Sequence, residues 1–167
     1  AVTLPVSLAV LIWLLWRGYS MTAWHWLAAL GFGMVTNLLF QGLAPATSWN
    51  SLVESGPGFA FPSSPTVLST LVFGFLAVLI ARELTPAWRW MAYLTAGLLI
   101  VPIAFARLYL GSHWLSGALA GLCLGVVWVA ILGLAYAHHG PRRLSWRGLL
   151  GVSVSITLLA MALHAGL

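Results

Sequence analysis

The sequence predicts an all-α, polytopic membrane protein, a bundle of six transmembrane helices, and three observations carry that prediction. The first is composition: 62% of the 167 residues are hydrophobic and 5% are charged, with a mean hydropathy of +1.02. Roughly a quarter of a soluble domain's residues are charged. The second is the identity of the charges, which are seven Arg and two Glu, with no Lys and no Asp. Such a set cannot cover a soluble surface, and it excludes a nucleic-acid-binding domain despite a pI near 10.4. The third is length. At about 20 residues per span, six spans use about 120 residues and leave short loops, so residues 1–167 read as one membrane-embedded domain.

Apolar runs bounded by Trp, Arg, Pro and Gly place the helices at about Val2–Trp16, Thr22–Leu43, Pro65–Ile80, Trp88–Ala106, Trp114–Ala135 and Leu149–Leu163. The first run is short for a span, about 22 Å at 1.5 Å per residue. In the fifth, Gly117, Gly121 and Gly125 recur every four residues, a stripe that lets another helix approach closely, with His113 one turn above it. Cys123 lies in the same apolar run and is expected to be buried. As the only cysteine it has no partner for an intrachain disulfide. Few carboxylates remain to build a metal cage or a carboxylate pair, so neither metal nor cofactor is expected.

Six crossings divide the connections into two sets. Arg17, Arg82, Arg89, Arg142, Arg143 and Arg147 fall in one set, and Arg107 alone falls in the other. By the positive-inside rule the first set is cytoplasmic, which places both termini on the opposite side. A first helix with a non-cytoplasmic N-terminus implies a removed signal segment or an upstream membrane domain. Two near-copies, Ala23-Trp24-His25-Trp26-Leu27 and Ala87-Trp88-Arg89-Trp90-Met91, open the second and fourth helices on the cytoplasmic face. Their indoles and basic groups suit a headgroup layer.

The unusual polar residues gather on the other side. In Phe61-Pro62-Ser63-Ser64-Pro65-Thr66, Ser residues stand at a helix cap with Pro at about the first helical position. That start leaves N–H groups free for an anion, although an ordinary cap looks the same. In Ala106-Arg107-Leu108-Tyr109-Leu110-Gly111-Ser112-His113-Trp114, an Arg and a His flank a Gly-containing turn. Such a pair can converge on one phosphate, the Arg by a bidentate fork and the His as nucleophile or donor, while an interface anchor is the plainer reading of Arg107.

Together these segments resemble the type 2 phosphatidic acid phosphatase superfamily of membrane lipid phosphatases. Its second motif is Pro-Ser-Gly-His at a helix start, and its third is Ser-Arg, five residues, His, three residues, Asp. Tyr109-Leu110-Gly111-Ser112-His113-Trp114-Leu115-Ser116 matches the surroundings of the third motif. The resemblance implies the six-helix fold and a phosphate site of Arg107, His113, Ser63 and Ser64, with His113 as the nucleophile of an active member. It also points to a bacterial inner membrane, with the site on the non-cytoplasmic face.

Several motif positions depart from the family. The second-motif His falls on Pro65, the third-motif Ser on Ala106 and the third-motif Asp on Gly117. The first motif, Lys, six residues, Arg-Pro, falls on Asn37, Ala44 and Pro45 in one register, and its basic positions fall on Phe40 and Thr47 in another. Loss of a general acid costs about 10²–10⁴ in rate, and loss of the carboxylate behind a catalytic His a similar factor. Missing cations weaken phosphoryl-oxygen stabilisation further. Glu54 and His164 are the candidate substitutes.

The leading expectation is a degenerate lipid-phosphatase scaffold, a pseudoenzyme. It would serve as an accessory subunit beside a membrane protein partner, or bind membrane lipids through a phosphorylated headgroup. The first rival is an active lipid phosphate phosphatase using His113. The second is a lipid or solute transporter, for which no intramembrane carboxylate or broken helix pair is evident.

Overall fold

The computed structural model describes residues 3–43, 62–109, 115–138 and 146–165. Six α-helices follow in chain order: α1 Thr3–Trp16, α2 Ser20–Leu43, α3 Ser64–Glu83, α4 Arg89–Tyr109, α5 Leu115–His138 and α6 Trp146–Ala165. A 3-10 turn, Pro86–Trp88, leads into α4. The order and number agree with the sequence reading, and several ends move outward while α1, α4 and α5 start one residue later. α2 begins at Ser20, α3 continues to Glu83 and α5 to His138.

Local chemistry accounts for the turns. α1 ends in a Schellman arrangement: Gly18 takes φ +75°, its N–H donates to Leu15 O at 3.0 Å, and the Tyr19 N–H donates to Leu14 O at 2.9 Å. The left-handed position suits glycine, which has no Cβ to clash there. Pro65 stands in the first turn of α3 and Pro86 opens the 3-10 turn, both places where a missing N–H costs nothing.

Four helical segments, Ser20–Leu43, Ser64–Glu83, Pro86–Ala106 and Leu115–His138, are long and apolar enough to cross a membrane. α1, with 14 residues, is about 21 Å long at 1.5 Å per residue. α3 is the central helix, packed by α5, α4 and α2 along its length and by α1 and α6 more lightly. Most of its residues are buried, whereas α2, α4 and α5 turn large apolar side chains such as Leu38, Leu98 and Ile131 outward. In lipid, an outward apolar face is the solvated one.

The alternation of helices creates two distinct ends. At one end, Thr22 Oγ1 and Tyr136 Oη share a hydrogen bond of 3.0 Å, and Arg82 donates to Tyr136 O at 2.7 Å. The Arg82 guanidinium also lies 4.9 Å from the Tyr136 ring centroid. These contacts tie α2, α3 and α5 together where Arg17 and Arg89 also lie. At the other end, the C-terminal part of α2 meets the N-termini of α3 and α5.

Two expectations are corrected. Cys123 is exposed on the outer face of α5, because the Gly117–Gly121–Gly125 stripe turns the opposite face of that helix inward. In the first Trp pair, Trp24 faces outward, but Trp26 is buried and its indole N–H donates to Ser7 O of α1 at 3.2 Å. The second pair, Trp88 and Trp90, is exposed as the interface reading requires.

Candidate functional site

The start of α3 is clamped between α2 and α5. On the α5 side, the Ser63 N–H donates to Gly117 O at 3.0 Å. One turn along, a Cβ on Gly121 would lie 3.0 Å from Ser63 O, and a Cβ on Gly125 would lie 2.5 Å from Thr70 Cβ. The glycine stripe is thus the surface on which α3 rests, as small residues allow for close backbone approach.

On the α2 side, two amides one helical turn apart reach the same hydroxyl. Asn37 Nδ2 and Gln41 Nε2 each donate to Ser64 Oγ at 2.8 Å, and Gln41 Nε2 also donates to Pro62 O at 2.8 Å. A serine hydroxyl offers two acceptor positions and one proton. Both acceptor positions are filled, so the Ser64 proton is the part of the group left for a further acceptor. Asn37 is completely buried, and its Oδ1 is the one buried side-chain atom without a hydrogen-bond partner among the described residues. An orphaned acceptor of this kind costs about 1–3 kcal/mol.

The free N–H groups expected at this helix start are fewer than the sequence suggested. The Thr66 and Val67 N–H groups both donate to Ser63 O at 3.0 Å, Ser63 N–H is engaged by Gly117, and Pro65 has none. The Ser63 side chain makes no capping bond. It is buried, and accepts from Thr66 Oγ1 at 3.1 Å. Thr70 and Ser69 return their hydroxyls to Thr66 O at 2.8 and 3.0 Å, which satisfies them within the helix.

Of the residues singled out in the sequence, Asn37, Ser63, Ser64, Pro65 and Gly117 come together at this end. Ala106 is exposed in the last part of α4. Arg107 and His164 belong to α4 and α6 by their backbone, and their side chains lie outside the described residues. His113, Glu54 and Ala44 also lie outside the described residues. Gln41 was not anticipated. A second amide four residues after Asn37 in an otherwise apolar helix was the available signal, since i and i+4 share a face.

The Asn37–Ser64 contact joins α2 to α3, and the Ser63–Gly117 bond joins α3 to α5. A family model described as the PAP2 superfamily matches residues 37–141, more than half of the chain. The chain belongs to the PAP2 superfamily. Among curated proteins, it is 30% identical over 71 residues to phosphatidylglycerophosphatase B of Bacillus subtilis (strain 168), a match covering 41% of this chain and 35% of that protein. It is 26% identical over 144 residues to undecaprenyl-diphosphatase of Sulfolobus acidocaldarius, covering 84% of this chain and 66% of the relative. The chain therefore spans about a third of one relative and just under two thirds of the other. No solved structure matches. The PAP2 assignment agrees with the six-helix fold and with an integral membrane protein.

Proposed function

We propose that this chain is a catalytically degenerate PAP2 scaffold, an accessory subunit or a phospholipid-headgroup binding domain rather than an efficient phosphatase. The observation that carries the reading is the neutral contact at Asn37 and Gly117. Where an active member presents a cation, a buried amide bonds Ser64 and leaves a carbonyl oxygen unpaired. Such an oxygen repels a phosphate oxygen. Where an active member presents the carboxylate behind its nucleophilic His, Gly117 supplies only a backbone carbonyl, and that carbonyl is engaged by Ser63.

Several features favour a retained headgroup contact over an empty relic. The Ser64 proton has an open acceptor side, Arg107 and His113 keep their motif positions, and both relatives are named for phosphorylated membrane lipids. The non-cytoplasmic placement of the site rests on the distribution of Arg, and the bacterial inner membrane on the family resemblance.

Titrating the purified chain with short-chain phosphatidic acid, while following both thermal stability and released phosphate, tests it. Stabilisation that weakens in Ser64→Ala, without phosphate release, is the expected result. Release that disappears in His113→Ala would instead establish the active-phosphatase alternative.

A further inference from the structure

We propose that the groove between α4 and α5, at the Arg-rich end of the bundle, is a binding site for an anionic phospholipid. Its phosphate sits against Arg82 and Arg89, and an acyl chain lies along α3. The groove encloses about 890 Å³, within the range of about 300–1,000 Å³ typical of small-molecule sites. α4 packs on α3 but touches α5 at few points, and that gap opens the groove.

Its walls are shaped for a chain. Gly74, Ala77 and Ala81 keep the α3 floor low beside Val78, and Gly97 of α4, with open space where a Cβ would stand, widens the groove. From Arg82 to Thr70 the floor runs about 18 Å at 1.5 Å per residue. The Arg-rich mouth lies at the opposite end of the bundle from Ser64, so the proposed phosphate position is separate from the PAP2 site.

Charge identifies the occupant. Arg82 and Arg89 both line the groove, one from the end of α3 and the other from the start of α4. Among the described residues neither is paired with a carboxylate. Arg82 is held by the Tyr136 carbonyl and ring, which fixes its plane while engaging one of its five N–H donors. Arg89 makes only a long contact of 3.4 Å with Leu84 O, leaving its fork available. Two guanidinium groups at the mouth of an apolar groove match a phosphodiester with attached chains, because Arg binds phosphate bidentately and basic pockets between membrane helices hold anionic headgroups. A partner helix filling the groove would leave both cations uncompensated.

The test uses the full chain, stripped of lipid in detergent and offered phosphatidylglycerol and phosphatidylcholine with identical chains in equal amounts. Lipid retained is read by native mass spectrometry. At least fivefold preference for phosphatidylglycerol is expected, falling at least threefold in Arg89→Gln and in the groove-filling Ala130→Trp. It should persist in Arg17→Gln, which removes a cation at the same end outside the groove, and in Ser64→Ala, which alters only the PAP2 end. Equal retention of the two lipids overturns the proposal, as does a preference unchanged in Arg89→Gln or equally reduced in Arg17→Gln. Occupation of the groove by a second copy, seen as a dimer that persists without lipid, would overturn it as well.

Discussion

At the residue scale, two polar side chains of α2 differ in what they support. Gln41 ties two acceptors of a neighbouring segment to α2, whereas Thr36 bonds only Phe32 O within its own helix. Gln41→Ala should therefore destabilise the folded chain by about 1–3 kcal/mol, for two hydrogen bonds at about 0.5–1.5 kcal/mol each. Thr36→Ala should stay within about 0.5 kcal/mol. Unfolding in detergent under increasing denaturant distinguishes them. Asn37 was legible in the sequence as an amide in an apolar helix, on which the motif Lys falls in one of two registers. Its bond to Ser64 was not, since partner choice between distant segments depends on packing that the spacing of motifs leaves open.

At the element scale, the glycine stripe of α5 was legible from its four-residue spacing, and the structure supplies the helix it receives. Gly125→Val would drive a branched side chain into Thr70, where even a Cβ lies 2.5 Å from Thr70 Cβ. Overpacking of this kind costs about 1–3 kcal/mol. Gly97→Ala in α4 meets nothing within 4 Å and should be neutral or stabilising by up to about 1 kcal/mol, through helix propensity. Thermal unfolding of both variants checks the contrast, and equal effects would mean that α3 and α5 do not meet along this stripe. The central place of α3 was not legible. α5 is the more apolar helix, yet most of its residues lie outside the protein interior. In a bilayer the interior need not be the most apolar part, so hydroxyl-bearing α3, with the Ser69 and Thr70 hydroxyls bonded to its own backbone, can take the centre.

At the scale of the whole molecule, the alternation of the helices and the two chemically distinct ends follow the sequence reading closely, because span length and Arg placement are global constraints. The side of the membrane that each end faces is a prediction of the positive-inside rule. In a Cys123→Ser background, Thr85→Cys should react with a membrane-impermeant thiol reagent only from the cytoplasmic side, and Gly42→Cys only from the opposite side. The departures from the family's motifs were legible as residue types, while the contacts that Asn37, Ser64 and Gly117 make depend on the fold. The central claim is that these contacts leave the scaffold without efficient phosphoryl transfer. Its most direct measurement is the initial rate of inorganic phosphate release from phosphatidic acid by purified wild type and His113→Ala. The account predicts rates within about threefold of each other, since removing a general acid and an orienting carboxylate each costs about 10²–10⁴. A wild-type rate a hundredfold or more above the His113→Ala background would contradict it.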